Sequence, residues 1–393
     1  MSRHSRLLII AAASTLGLTA CSGRDAGPDG MMAPSPGAAR SAVKFWEANA
    51  TANWNELATS LASRRRVNVS RLYVYLSLAQ LRAAEDAEAI KPSSPTASAI
   101  VAASASVLES YFPADVAEIE GALAAQADAE PWPGAKHQDF ALGATLGRAA
   151  AVRVLAFSAT DLVGLTNPGT PPATPGHWLW SGGPIARGNL GARPFFLASR
   201  DEFRPAAPPS FGSPEYLAAL AEVRRISDTR TPQQLAIAQY WNVGQGPTSN
   251  TIVENLAVEL IRRHRASDVE SARILFRMNA AIFDALVGCF DAKYTYWFIR
   301  PPQADPLITL PIGLPPHPSY PSAHSCVSGA ASGVLIAEFP EDRDRLEAIA
   351  QEASLSRLYA GIHYQFDMEA GLALGRGVAA KAMTADLGAV AVR

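Results

Sequence analysis

With 393 residues, 48% of them hydrophobic, the chain is long enough to bury a substantial core, and its formal net charge of −2 lacks the basic excess of a nucleic-acid-binding surface. Nucleic acid is therefore not an expected partner.

Residues 1–21 read as a secretory lipoprotein signal. Arg3 and Arg6 precede an apolar stretch from Leu7 to Ala20, and Leu18-Thr19-Ala20 leads into Cys21. The likeness to lipoprotein signals implies cleavage before Cys21 and lipidation of its thiol and amine; a plain signal peptide or short anchor with a chance cysteine is the alternative. Ser22 rather than Asp follows, which in a Gram-negative cell favours the outer membrane, facing the periplasm. Residues 22–40, rich in Gly, Pro, Ala and Ser, read as a flexible tether. No later stretch reaches ~18 apolar residues without a charge, the length a spanning helix needs, so the only membrane attachment expected is the N-terminal lipid.

From about Ser41 to Phe157 the chain is Ala-rich with helical spacing, as in RLYVYLSLAQLRAAEDAEAI and SAIVAASASVLESYF, which is helix-bundle material. From Asn167 to Pro214 it changes to clustered Pro and Gly with Trp178, Trp180, Phe195, Phe196 and Phe203, too long and irregular for a simple connection. This stretch is expected either to line the entrance of a site or to pack as a belt on the bundle. Helical spacing resumes from Pro214 to Tyr296, with breaks at Thr231-Pro232, Pro247 and Ser267-Asp268, the last an N-cap. A Pro-rich loop, residues 302–321, and a final helix over GLALGRGVAAKAM close the chain. No strand-like alternation persists, so the fold class is all-α: one helical domain over 41–393, its site-bearing core at about 214–393.

The chemistry concentrates in three strings. In KYTYWFIRP, Lys293 and Arg300 stand seven apart, a spacing that puts both on one face of a helix, where they could clamp one anion before Pro301 ends or turns the chain. PSAH predicts a helix beginning near Ser322, whose hydroxyl and free amides suit an anion. Ser325, Gly329 and Gly333 follow at four-residue intervals and predict a thin face for close helix contact. In SRLYAGIHYQFD, His363 and Asp367 are four apart and expected on one helical face, the carboxylate orienting a neutral imidazole that could be a nucleophile or a metal ligand. Arg357 is six before His363, so a break near Gly361 is expected, with Arg357 reaching the anion from another side.

Over about 140–390 the chain resembles the superfamily that unites vanadium-dependent haloperoxidases, bacterial class A acid phosphatases and type 2 phosphatidic acid phosphatases, with the soluble bacterial haloperoxidase-like branch closest in pattern. The resemblance implies a helical bundle of that type. It also implies that Lys293, Arg300, Ser322, Arg357 and the amide of Ala323 bind the oxyanion, that His363 bonds to vanadium or phosphorus, and that His324 is the acid/base. The family has Gly where this chain has Ala323, and the added methyl matters only if that backbone needs a positive φ.

Two chemistries follow from the resemblance. One is peroxide-driven halide oxidation with vanadate as cofactor. The other is phosphomonoester hydrolysis through a phosphohistidine, with no cofactor. A lipid-anchored protein that binds phosphate or vanadate without turnover is a third reading. Small molecules are the expected partners in all three, and oligomeric state is not readable.

His317 lies seven residues before His324, an offset at which bromoperoxidases of the resembled family carry a His; it either tunes the site or caps a backbone carbonyl. Cys289 and Cys326 are either a disulfide or two small buried thiols. Arg64–Arg66 and Arg262–Arg265 read as solvated helix faces, and His137 and His177 lack metal-ligand spacing.

Overall fold

The computed structural model describes residues 49–90, 95–127, 140–242 and 248–390. Cys21, the rest of the signal, the tether, His137 and the break at Pro247 lie outside them. Among the described residues there are thirteen α-helices, two short 3-10 turns and no strand beyond a single bridge between His177 and Phe298.

Five helices form the first part of the bundle: α1 (Ala50–Arg64), α2 (Val69–Glu88), α3 (Thr96–Tyr111), α4 (Val116–Ala127) and α5 (Phe140–Ser158). Eight follow the Pro/Gly-rich belt: α6 (Pro214–Thr229), α7 (Pro232–Tyr240), α8 (Ser249–Arg263), α9 (Asp268–Tyr296), α10 (Pro301–Ala304), α11 (Ala323–Glu338), α12 (Arg343–Tyr359) and α13 (Gln365–Thr384). The starts are written in local chemistry. Ser213 caps α6 ahead of Pro214, and Thr231 with Gln234, then Ser267 with Glu270, close reciprocal capping boxes on α7 and α9.

The 29-residue α9 is shared between two cores. Ala272, Phe276, Ala280, Phe283 and Val287 face the cluster built by α1–α5, while Ile274, Met278, Ala281, Ile282 and Ala285 face the cluster of α8, α11 and α13. Helix α5 is long and apolar enough by composition to cross a membrane, but it packs on α2 and α3 as a wall of the first cluster.

The belt is pinned to α9 by two buried carboxylates. Asp284 accepts from the amides of Phe195, Phe196 and Leu197 at 2.8, 2.7 and 3.1 Å, and Asp291 pairs with Arg200 and Arg204. Burial pushes the Asp284 carboxyl up to about 7, against the amides, which favour its ionised form. Both expectations for the belt hold in different stretches. Phe195 and Phe196 pack against Phe276, whereas Ala186 donates its amide to Pro316 and lines the cavity over the site.

Helices α11 and α13 meet along the thin face expected from Gly329 and Gly333. A Cβ on Gly329 would sit 2.8 Å from the Leu372 carbonyl oxygen, and one on Gly371 would sit 2.6 Å from that of Ser322. This close approach fixes the start of α11 relative to α13, and so brings the second motif to the third.

Candidate active site

Lys293 sits in the last turn of α9, but the helix does not continue to Arg300 as its spacing suggested. It stops at Tyr296, because Trp297 takes a left-handed conformation (φ 49°, ψ 32°), uncommon for a bulky residue. The Trp297 indole is buried against Tyr294 and stacked on Trp178. The chain then reverses, and Arg300 becomes the N-cap residue of α10, opened rather than ended by Pro301. The two cations therefore meet through this reversal, not through helical periodicity, and both are fully buried.

The Lys293 ammonium donates to the carbonyls of Pro318, Ser319 and Pro321 at 2.9, 2.8 and 2.5 Å. Arg300 donates to the carbonyls of His317 and Ile362 at 2.9 and 2.8 Å and to His317 Nδ1 at 3.0 Å, and its Nη1 lies 3.4 Å from His363 Nε2. Arg357, at the end of α12, donates to Ser356 Oγ and the Ala238 carbonyl. Burial is the main cause that lowers the Lys293 ammonium to about 8, Arg300 to about 10 and Arg357 to about 9.

Ser322 is the N-cap of α11, where the sequence placed it, its Oγ accepting from the Ser325 amide. Ala323 opens the helix and is absent from the positive-φ residues, so its methyl creates no backbone strain. His324 donates through Nε2 at 2.8 Å to the Trp241 carbonyl, which can only accept, so Nε2 carries the proton and Nδ1 is left as the basic nitrogen.

The break before the third motif falls at Gly361 (φ 75°). His363 lies ahead of α13 rather than on it, with Tyr364 as N-cap, so the expected shared helical face with Asp367 is corrected to a contact across the helix start. The contact itself is close: His363 Nδ1 donates to Asp367 Oδ2 at 2.8 Å. The same oxygen accepts from Ser319 Oγ at 2.5 Å and the Tyr364 amide at 3.2 Å, while Oδ1 has no partner among the described residues. Burial raises the Asp367 carboxyl to about 6, opposed first by the Ser319 hydroxyl. Burial, then the neighbouring cations, hold His324 and His363 well below the usual imidazole range, so both rings are neutral.

Sequence reasoning did not find Ser319 or Trp241. Ser319 lies inside the HPSYPSAH string but resembles any loop serine, and the Trp241 carbonyl reaches His324 across 83 residues. The ring of His317, singled out for its offset, accepts from Arg300 through Nδ1 and borders the cavity. Among the described residues the His177 ring bonds to Thr174, and Arg64, Arg65, Arg262 and Arg263 form exposed or half-exposed ion pairs. Cys289 and Cys326 are free and buried, and the Cys289 thiol donates to the Pro321 carbonyl at 3.8 Å.

The electrostatics ask for an anion. Lys293, Arg300 and Arg357 bring three positive charges into the interior against the one carboxylate of Asp367, leaving two uncompensated. No group of three or more His, Cys, Asp or Glu side chains able to hold a metal cation occurs among the described residues. A cavity of about 570 Å³ opens above, with Ala323, His324 and Arg357 on its floor.

These features define the all-α vanadium haloperoxidase fold. The bacterial vanadium-dependent iodoperoxidase structure superposes with a TM-score of 0.69 at 22% identity, covering 86% of this chain and 95% of that one. The apo-type bacterial vanadium-dependent chloroperoxidase gives 0.63 at 12% identity (80% and 92%), and the holo-type gives 0.55 at 14% (79% and 89%). Residues 274–387, which hold all three motifs, match the family model of the PAP2 superfamily, in agreement with the resemblance those motifs carry. No curated protein matches the chain.

Proposed function

We propose that the chain is an oxyanion-site enzyme of the vanadium-dependent haloperoxidase type, oxidising halide with peroxide. The observation that carries this is the neutral His363 ring, held through Nδ1 by Asp367 with Nε2 turned toward Arg300, among three buried cations that one carboxylate does not balance. The donor set fits vanadate. His363 Nε2 would hold it, with Lys293, Arg300, Arg357, the Ser322 hydroxyl and the Ala323 amide toward its oxygens.

When bound, vanadate supplies a Lewis acid that activates peroxide without changing oxidation state. Asp367 fixes the tautomer of His363, so that a lone pair stands on Nε2. The Trp241 carbonyl does the same for His324, whose Nδ1 is free to accept the proton that peroxide gives up. Lys293 and Arg300 offset negative charge on the reacting oxygens from a water-poor interior, where such contacts are strongest.

A second reading, phosphomonoester hydrolysis, is favoured by the match of the site segment to the PAP2 superfamily. Here His363 Nε2 attacks phosphorus, the three cations steady the equatorial oxygens, and His324, after taking a proton from solvent on Nδ1, passes it to the leaving alkoxide and, neutral again, activates water to cleave the phosphohistidine. We also propose export and lipid anchoring at Cys21, tested by incorporation of labelled fatty acid, which Cys21→Ser is expected to abolish.

One preparation, stripped of anion, separates the readings. Peroxide-dependent bromination or iodination that appears on adding orthovanadate supports the first, and phosphoester hydrolysis that orthovanadate stops supports the second. Orthovanadate binding with neither turnover would mark a binding protein. His363→Ala is expected to remove whichever activity is found, and a fully active variant would overturn the site assignment.

A further inference from the structure

Of the nine residues of α7, Ala238 alone is buried. A helix that short does not hold its place without tertiary contacts. Its C-terminal end nevertheless carries two acceptors that reach the site: the Ala238 carbonyl accepts from Arg357 Nη2 at 3.1 Å, and the Trp241 carbonyl accepts from His324 Nε2 at 2.8 Å. Two different contacts fasten that end. Ala238 packs with Ala360 and Ile362 in the turn after α12. Trp241, the C-cap residue, buries its indole and donates from Nε1 to Oε1 of Glu352, on α12, at 3.0 Å. Burial and then Arg357 disfavour a charged His324 ring, as do Lys293 and Arg300, whereas the bond to the Trp241 carbonyl favours it. The ring carries that charge for a moment whenever Nδ1 takes a proton. The carbonyl therefore matters most in the step assigned to His324.

We propose that Glu352 is a positioning residue for proton transfer at His324: through the Trp241 indole it fixes the carbonyl that holds the Nε2 proton and so keeps Nδ1 unprotonated. The proposal rests on the acid/base part given to His324 under "Proposed function" for its effect on rate, though not for its effect on the ring. Without the Glu352 oxygen the indole N–H loses its acceptor, and a buried donor left so is relieved by moving toward water or another partner. Indole and carbonyl belong to one residue, so that movement is passed to the Trp241 oxygen and weakens its bond with His324. The proton can then occupy either ring nitrogen. The contact of the Ala238 carbonyl with Arg357 is held by the packing against Ala360 and Ile362 and is expected to stay. Glu352 itself is exposed, so its exchange leaves the core intact.

The test reads the ring directly, by NMR of the full chain with ¹⁵N-labelled histidine and no added anion. The His324 signals, identified by their absence from His324→Gln, are expected to show a single neutral tautomer protonated on Nε2. Glu352→Ala is expected to mix the two tautomers, whereas Glu352→Gln, whose amide oxygen still accepts, is expected to keep one. Turnover, of whichever kind the wild type shows, is expected to fall by about tenfold or more in Glu352→Ala and by less than about threefold in Glu352→Gln, since proton transfer depends on the placement of the ring. Orthovanadate affinity is expected to stay within about twofold in both, because the bond serves turnover rather than anion binding. In a Trp241→Phe background, where no indole N–H remains, Glu352→Ala is expected to change turnover by less than about twofold. An unmixed tautomer in Glu352→Ala, an equal loss in Glu352→Gln, a fall in orthovanadate affinity that matches the fall in turnover, or a full further loss in the Trp241→Phe background would overturn the proposal. Mixed tautomers in Glu352→Ala, with a wild type that turns over neither halide nor phosphoester, would leave the positioning standing and overturn the acid/base assignment of His324 instead.

Discussion

One oxygen of Asp367 collects three donors, the His363 ring, the Ser319 hydroxyl and the Tyr364 amide, while the other collects none among the described residues. The acceptor that orients His363 is therefore itself oriented by Ser319. Ser319→Ala removes the group that most opposes the burial-driven rise of the Asp367 carboxyl above its present value of about 6. Orthovanadate affinity is expected to fall by ~10-fold or more, as for other groups that support a ligating histidine. The sign of the pH effect follows. The carboxyl of the variant stays protonated to higher pH, so the acid-side loss of affinity should begin at a higher pH than in the wild type. A titration of orthovanadate binding between pH 5 and 8 checks both. At this scale the sequence was most legible where function demands unusual residue types close together. Lys293, Arg300, Ser322, His324, Arg357 and His363 could all be picked out before any fold was known. Ser319 and the Trp241 carbonyl could not, because a serine in a loop and a backbone oxygen carry no signature until a partner distant in sequence arrives.

Between elements, the decisive contact is the seam of α11 and α13. The first helix carries Ser322 and His324, the second begins just after His363, and their spacing is set by glycines that let backbones approach. Gly329→Ala would bring a methyl within 2.8 Å of the Leu372 carbonyl oxygen, too close without movement of one helix. A loss of roughly 1–3 kcal/mol is expected in denaturant unfolding, since overpacking is relieved only by backbone shifts. The four-residue recurrence of small residues revealed this seam in advance. The same periodic reasoning failed for Lys293 with Arg300 and for His363 with Asp367. In both pairs a helix terminus intervenes, and the residues meet across a turn. Helical spacing describes neighbours within a helix; it says nothing about a chain that has just left one.

For the whole molecule, α9 is the wall that two cores share, and beside it lies an isolated acid. Glu254 of α8 is completely buried, accepts from Asn279 of α9 at 3.0 Å through one oxygen, and has no partner for the other among the described residues. Burial raises its carboxyl from 4.5 to about 8. A raised folded-state value means that stability is fully present below the unfolded value and is lost as pH climbs through the folded one. Glu254→Gln removes the titration. Wild type and variant should diverge from about pH 5 to pH 8, the variant gaining by roughly 2–4 kcal/mol at the upper end, read from unfolding curves at several pH values. The all-α architecture was legible from the helical spacing on both sides of the belt and the lack of alternation. The route of the belt over α9 was not, since it depends on Asp284 and Asp291, two acids inside a helix that look from the sequence like any others.

The three carbonyls that surround Lys293 have a consequence for how its variants must be interpreted. All three protons of the ammonium are already engaged by Pro318, Ser319 and Pro321, so the side chain is the rivet of the segment that leads into α11. Contact with an anion requires a proton of that ammonium to change partner or be shared. Ligand affinity and the order of the 318–321 segment are therefore not separable quantities at this residue. A lysine-to-methionine exchange at position 293 removes a charge and unfastens a loop in one step, and loss of function in it would not by itself measure an anion contact. Amide hydrogen exchange across residues 318–325, compared with and without orthovanadate, distinguishes the two contributions.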